Sequence, residues 1–170
     1  DTVEAVYGDF SPWREELEEG FRFYKYYFPE LEVPTLYTFI GEHSYGVLFP
    51  PVEEEVLMIG LDMFLGPDYE YYYGSPINLP KYIVCSFTPK HLTSRVFEGI
   101  VDDIVGDTRG VKLIDKMINR GKKLYILRRL LPYQPDSILL KYTSEQVEWA
   151  KNNEYQVWVH LIDEELLYTD

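Results

Sequence analysis

Cysteine is almost absent from this chain. Cys85 stands alone among 170 residues, so neither an intrachain disulfide nor a cysteine-based zinc site can form. A lone thiol fits the cytosol, and it equally fits a periplasmic protein that dispenses with disulfides. No apolar run approaches the ~20 residues of a membrane-spanning helix. The His-Glu-x-x-His of zinc peptidases, the Gly-x-Ser-x-Gly elbow, the P-loop and the dinucleotide fingerprint are all missing. There is neither a signal peptide nor an initiating Met; an opening at Asp1-Thr2-Val3 is expected of a trimmed or mature chain, with any targeting signal upstream. Cations are scarce as well: 16 Lys and Arg against 29 Asp and Glu leave a net charge of −13. That balance argues against nucleic acid as a partner and against an anionic membrane surface.

What is present is enough for one folded domain over residues 1–170. At this length a chain buries about 70% of the surface it would expose unfolded. Aromatic content of 16% lies far from the signature of disorder, and most of it is tyrosine, 16 Tyr against 9 Phe and 3 Trp. Tyrosine suits half-exposed positions and contact surfaces, because an apolar ring carries a polar tip.

Hydrophobic periodicity predicts an α+β, helix-rich fold. A first helix runs from Ser11, its N-cap, through Pro12 at the first turn to a stop at Pro29. Trp13, Leu17, Phe21, Tyr24 and Phe28 form its buried stripe. Residues 34–61 switch to period two, in three short segments read as an antiparallel three-stranded meander. "EHS" at 42–44 makes the first turn, and "PPV" at 50–52 interrupts before the third strand. The stretch 63–80 is a loop punctuated by Gly66-Pro67 and Gly74-Ser75-Pro76, with Tyr69, Tyr71, Tyr72 and Tyr73 between them. Helices follow: a short one at 79–87 and one from Thr88-Pro89 with Val96, Ile100 and Ile104 inward. Another spans about Gly110 to Leu131, one opens on a Thr143/Gln146 capping box, and a last one carries Val157, Leu161 and Leu167 on one stripe.

The helix "LIDKMINRGKKLYIL" is the most distinctive segment. Lys112, Lys116, Arg120, Lys122, Lys123, Arg128 and Arg129 face a single acidic residue there, Asp115. One reading is internal charge balance, helped by the helix dipole at the C-terminal half. The other is a face for an anion or a partner. Gly121 interrupts the apolar stripe and is expected to let another backbone approach. No catalytic or metal site is predicted. His43, His91 and His160 are far apart in sequence, Cys85 lies in an apolar run expected to be buried, and Asp62 follows a strand. A metallopeptidase-like hydrolase, its site assembled in space from His43, His91, His160 or Asp62, is the rival reading. A glycan-binding module stacking sugars on the tyrosine loop is a third.

Several blocks together resemble a known family. They are Tyr26-Tyr27-Phe28-Pro29 with Pro34, "IGLDMFLGPDYEYY" at 59–72, "LPKYI" at 79–83 and "LIDKMINRGKKLYIL" with "LLP" at 130–132. "YTSEQVEWAKNNE" at 142–154, Trp158 and "LLYT" at 166–169 complete the series. In this order they resemble the gliding-motility lipoproteins of Bacteroidetes, the GldB type. Family members continue past "LLYT" into a Pro-Gly-x-x-Gly-x-Trp-x-Gly-Trp segment that these 170 residues do not include, and the lipobox Cys is likewise not among them.

The family is in turn distantly similar to zincin-like metallopeptidase domains. A Glu-Gly ligand pair of that fold would correspond here to Arg120-Gly121, and the His-Glu-x-x-His helix to Phe97-Glu98-Gly99-Ile100-Val101. An arginine has no lone pair for a metal. The resemblance therefore implies a degenerate zincin-like scaffold without cofactor: a non-enzymatic, periplasm-facing envelope lipoprotein. It would be an accessory of gliding or type IX secretion machinery, held to the membrane only through an upstream lipid. Its partners would be other envelope or secretion-machinery proteins, met through Tyr69, Tyr71, Tyr72, Tyr73, Arg120, Lys122 and Lys123.

Overall fold

The structure, a computed structural model, describes residues 2–51, 55–74 and 78–169. Val52 of the "PPV" break and Ser75-Pro76 of the second loop punctuator lie outside the described residues. The fold is a helix-rich α+β arrangement, and the chain divides into two compact units, Asp1–Gly99 and Ile100–Asp170.

The first unit opens with α1 (Thr2–Tyr7) and α2 (Ser11–Tyr27). Leu17, Phe21 and Tyr24 of α2 are buried at the expected spacing, and the Phe21 ring meets that of Phe97 at 4.8 Å. Each such side chain contributes about 1.5–3 kcal/mol by leaving water. Ser11 is not the N-cap. Phe10, in the left-handed region at φ 63°, takes that position. The Asp9 carboxylate instead accepts from the Ser11 amide at 3.1 Å and hydroxyl at 2.7 Å.

Three strands follow, β1 (Thr35–Phe39), β2 (Val47–Leu48) and β3 (Val56–Gly60). The three segments form strands as expected, but the meander is wrong. The order is β1-β3-β2, with β1 parallel to β3 and β2 antiparallel to it. A meander would centre β2, and two residues cannot support five-residue neighbours on both sides. β3 has apolar residues at successive positions, the pattern of a strand covered on both faces, and its Leu57 and Ile59 are fully buried. Gly60 is required where β2 begins: its amide donates to Gly46 at 3.0 Å, and a Cβ there would collide with the Tyr45 carbonyl.

A 3-10 turn at Leu61–Phe64 leads to a second at Glu70–Tyr73, then to α3 (Lys81–Val84). Cys85, expected inside, is exposed, because this single turn of helix points Val84 inward instead. Thr88 precedes a 3-10 turn, Pro89–His91, that runs into α4 (Leu92–Val105). Its hydroxyl engages His91 Nδ1 at 2.8 Å rather than a backbone amide.

In the second unit the core is made of Ile100, Val101, Leu127, Leu130, Leu131, Leu139, Val147 and Leu167. They come from the end of α4, from α5 (Leu113–Leu130), α6 (Asp136–Leu140) and α7 (Ser144–Asn152), and from a closing 3-10 turn at Leu166–Tyr168. The capping box is made as predicted. Gln146 N–H donates to Thr143 Oγ1 at 3.2 Å, and Thr143 N–H to Gln146 Oε1 at 2.9 Å. The last helix, α8 (Glu154–Asp163), is shorter than expected. Glu165 at φ 55° breaks it, so Leu167 is buried from the turn, not from the helix stripe.

Candidate interaction surfaces

The four tyrosines of the 69–73 run do not form one surface. Tyr72 is fully buried, its hydroxyl donating to the Asp62 carbonyl at 2.7 Å and accepting from Leu65 N–H at 3.0 Å. It has no face to offer a partner. Tyr73 turns its hydroxyl back onto the Pro67 carbonyl at 2.6 Å. Tyr71 is exposed and lies parallel to the His43 ring, 5.8 Å away at 3°. Tyr69 closes the group at 5.4 Å from His43 and 5.3 Å from Tyr71. Desolvation, with the Tyr71 and Asp62 charges behind it, holds the Tyr69 hydroxyl above the usual phenol range.

Asp62 organises this cluster from below. One carboxylate oxygen accepts from the amides of Gly41 at 3.1 Å and His43 at 2.8 Å. Those bonds hold a turn in which Glu42 and His43 both have positive φ, 51° and 61°. Non-glycine residues in that region cost energy and persist only where neighbours over-determine them. The other oxygen, Asp62 Oδ1, and His43 Nε2 are buried and find no partner among the described residues. Of the rival hydrolase residues, His43 and Asp62 are thus brought together; His91 sits with Thr88 ahead of α4, and His160 is exposed on α8. Among the described residues, no group of three or more His, Cys, Asp or Glu is placed to hold a metal ion.

The basic helix α5 largely satisfies its own charges. Lys123, only 12% exposed, bridges Asp102 at 3.0 Å and Asp107 at 3.5 Å. Arg128 pairs with Asp136, which Lys151 also reaches at 3.1 Å. Lys112 lies over the Tyr168 ring at 5.6 Å, and Arg129 over Tyr125 at 5.1 Å. Arg120 is half-buried and Lys122 exposed. Gly121 admits no neighbouring backbone: a Cβ there would meet nothing within 4 Å. The missing side chain instead deepens a cleft of about 230 Å³ lined by Leu124, Tyr125, Arg128, Asp136 and Leu139.

An exposed apolar surface on α8 was missed by sequence reasoning. α8 has no buried residue. Tyr155, Trp158, Val159 and Ile162 recur at the i, i+3, i+4, i+7 spacing of one helical stripe, and that stripe faces solvent: Tyr155 is 76%, Trp158 40% and Ile162 60% exposed. Trp149 of α7 adds a second indole, 60% exposed. The signal was in the sequence, an apolar stripe flanked by Glu154, Asp163, Glu164 and Glu165. The inward stripe was assigned to Val157, Leu161 and Leu167, and periodicity cannot say which stripe finds a core.

As a class, these features define a helix-rich α+β protein with a large exposed aromatic face. The sequence model of one family, described as gliding motility protein GldB, matches residues 1–170, and the chain belongs to that family. It is thereby a gliding-motility lipoprotein of the cell envelope, a member of a family that works among other motility proteins. No curated protein and no solved structure matches the chain.

Proposed function

We propose that the protein is a non-enzymatic accessory or structural component of the gliding machinery, or of a type IX secretion-related apparatus. It would act by contact on the periplasmic side of the envelope. The observation that carries this reading is the exposed stripe Tyr155, Trp158, Val159 and Ile162. Apolar surface left in water costs roughly 25 cal/mol per Å², a cost that association removes. Tyr and Trp are residue types enriched where binding energy concentrates. The acidic residues flanking the stripe select a partner with an apolar centre and a basic rim. Tyr71 and Lys122 are secondary contact points. The zincin-like ancestry implied by the resemblance belongs to the same proposal, with Arg120 standing where a ligand would be.

Site-specific photo-crosslinking tests it. Benzoylphenylalanine at position 158, in the native host, is expected to give one discrete adduct identified by mass as an envelope or secretion-machinery component. The same group at Asp103, exposed on α4, gives none. Absence of an adduct at 158 refutes the reading. A second reading, a small-ligand site of hydrolase or glycan-binding type, is favoured by the two orphan atoms, Asp62 Oδ1 and His43 Nε2, beneath Tyr71. It predicts that His43→Ala abolishes function.

A further inference from the structure

Among the described residues β1 is an edge strand, with β3 on one side and no strand paired to the other. Thr35 N–H donates to the Glu55 carbonyl at 2.8 Å, so in the parallel register Thr35, Tyr37 and Phe39 direct their amides and carbonyls toward β3. The alternate residues, Leu36 and Thr38, direct theirs outward. Edge strands are normally blunted by charges, prolines within the strand, bulges or a covering element. Here residues 33–41, Val-Pro-Thr-Leu-Tyr-Thr-Phe-Ile-Gly, carry no charge at all in a chain of net charge −13. Tyr37 and Ile40 are more than half exposed beside it.

The same edge borders a trough. A cavity of about 520 Å³ lies between α2 and the sheet, lined by Arg14, Leu17, Phe21, Leu36, Thr38 and Ile59 among others. A second, of about 490 Å³, shares Glu18, Phe21 and Leu36 with it and extends along α2 to Arg22, Lys25 and Val33. An added strand beside β1 would send every second side chain into this space. The lining carries Arg14, Arg22 and Lys25 against Glu18; Arg22 is paired with Glu19 at 2.7 Å and Lys25 donates to the Pro29 and Leu31 carbonyls, so Arg14 is the cation chiefly offered to an acidic ligand.

We propose that the β1 edge and the α2 trough form a binding site for an extended peptide segment of a partner protein. The segment adds as a fourth strand, with apolar residues at alternate positions and acidic residues near its ends. Main-chain bonds to Leu36 and Thr38 supply register, and the trough supplies selectivity. A second copy of this chain is the poorer occupant. Two molecules of net charge −13 repel, and a five-residue edge is far short of the ~800 Å² per partner that stable interfaces bury.

The test is selection from a random nonapeptide library displayed on phage against the purified protein. Enriched peptides are expected to alternate apolar residues and to carry Asp or Glu toward their ends. Thr38→Pro removes an outward N–H while leaving the β1–β3 ladder intact, and proline is tolerated on an edge. It should weaken binding at least tenfold. Thr38→Asp, a charge of the ligand's own sign at the exposed mouth of the trough, should weaken binding as well without altering the backbone. Trp158→Ser should leave binding unchanged, which separates this site from the α8 face. No enrichment, or enriched peptides indifferent to both Thr38 variants, overturns the proposal. So does a dimer in sedimentation that Thr38→Pro dissociates, because the edge then belongs to a second copy.

Discussion

The Tyr72 hydroxyl donates to the Asp62 carbonyl at 2.7 Å from a fully buried position. That bond, with the Leu65 amide donating to the same oxygen, ties the Glu70–Tyr73 turn to the one that follows β3. Removing the hydroxyl leaves a buried carbonyl and a part-buried amide short of a partner, which costs about 1–3 kcal/mol. Tyr72→Phe is therefore expected to lower the urea midpoint clearly. Tyr71→Ala, at an exposed ring, should stay within about 0.5 kcal/mol of the parent.

Alkaline pH should weaken the first unit. Burial pushes the Tyr72 hydroxyl up to about 12; the Leu65 N–H opposes this, and the Asp62 charge and Tyr69 add to it. Tyr7, whose hydroxyl donates to the Phe64 carbonyl at 2.9 Å, is raised as well, by burial first and Tyr72 second. An unfolded tyrosine titrates near about 10. Below that value both states keep the proton, and the stabilisation is fully present. Between about 10 and 12 the unfolded chain has released a proton that the native state retains, so stability falls as pH rises. Urea midpoints measured across this window should decline, and Tyr72→Phe should decline less steeply. A flat profile contradicts the assignment.

Gly121 and Gly60 should respond to alanine in opposite directions. Gly121 lies inside α5 with open space where a Cβ would go, so Gly121→Ala should stabilise by about 1 kcal/mol. Gly60→Ala drives a methyl into the Tyr45 carbonyl and should destabilise by about 1–3 kcal/mol. Thermal melts of the two variants read both signs.

Adjacent lysines should also differ. Lys123 has its stem covered and its ammonium between Asp102 and Asp107. Because both carboxylates are well exposed, the ion pairs add little and the covered stem carries most of the effect. Lys123→Ala should cost about 1 kcal/mol. Lys122→Ala, at an exposed position, should be within about 0.5 kcal/mol of neutral. Denaturation of the two variants side by side measures the difference.

Much of this was legible in the residues, and the limits have physical causes. The α2 stripe and the Thr143 capping box follow from local spacing and local hydrogen bonds, so sequence reveals them. Strand pairing is non-local. Period two marked the three strands, but which of them pair, and that β1 runs parallel to β3, is decided by contacts distant in sequence. The tyrosine run was visible as a run. Which ring turns inward depends on a 3-10 turn whose start is set by contacts distant in sequence, so Tyr72 and Tyr71 looked alike. The same holds for Lys122 and Lys123, one helical step apart, with carboxylates waiting on only one side. On α8, two overlapping apolar stripes competed, and the one left in water is the one that the contact reading rests on.

That reading is tested most directly by complementation in the native host deleted for this gene. Two folded variants are compared: the double substitution Trp158→Ser/Ile162→Lys on the α8 face, and His43→Ala in the Asp62 cluster. Contact as the mode of action predicts that the α8 variant fails to restore the host phenotype while His43→Ala restores it. Full restoration by the α8 variant together with failure of His43→Ala would contradict it and place the function at His43.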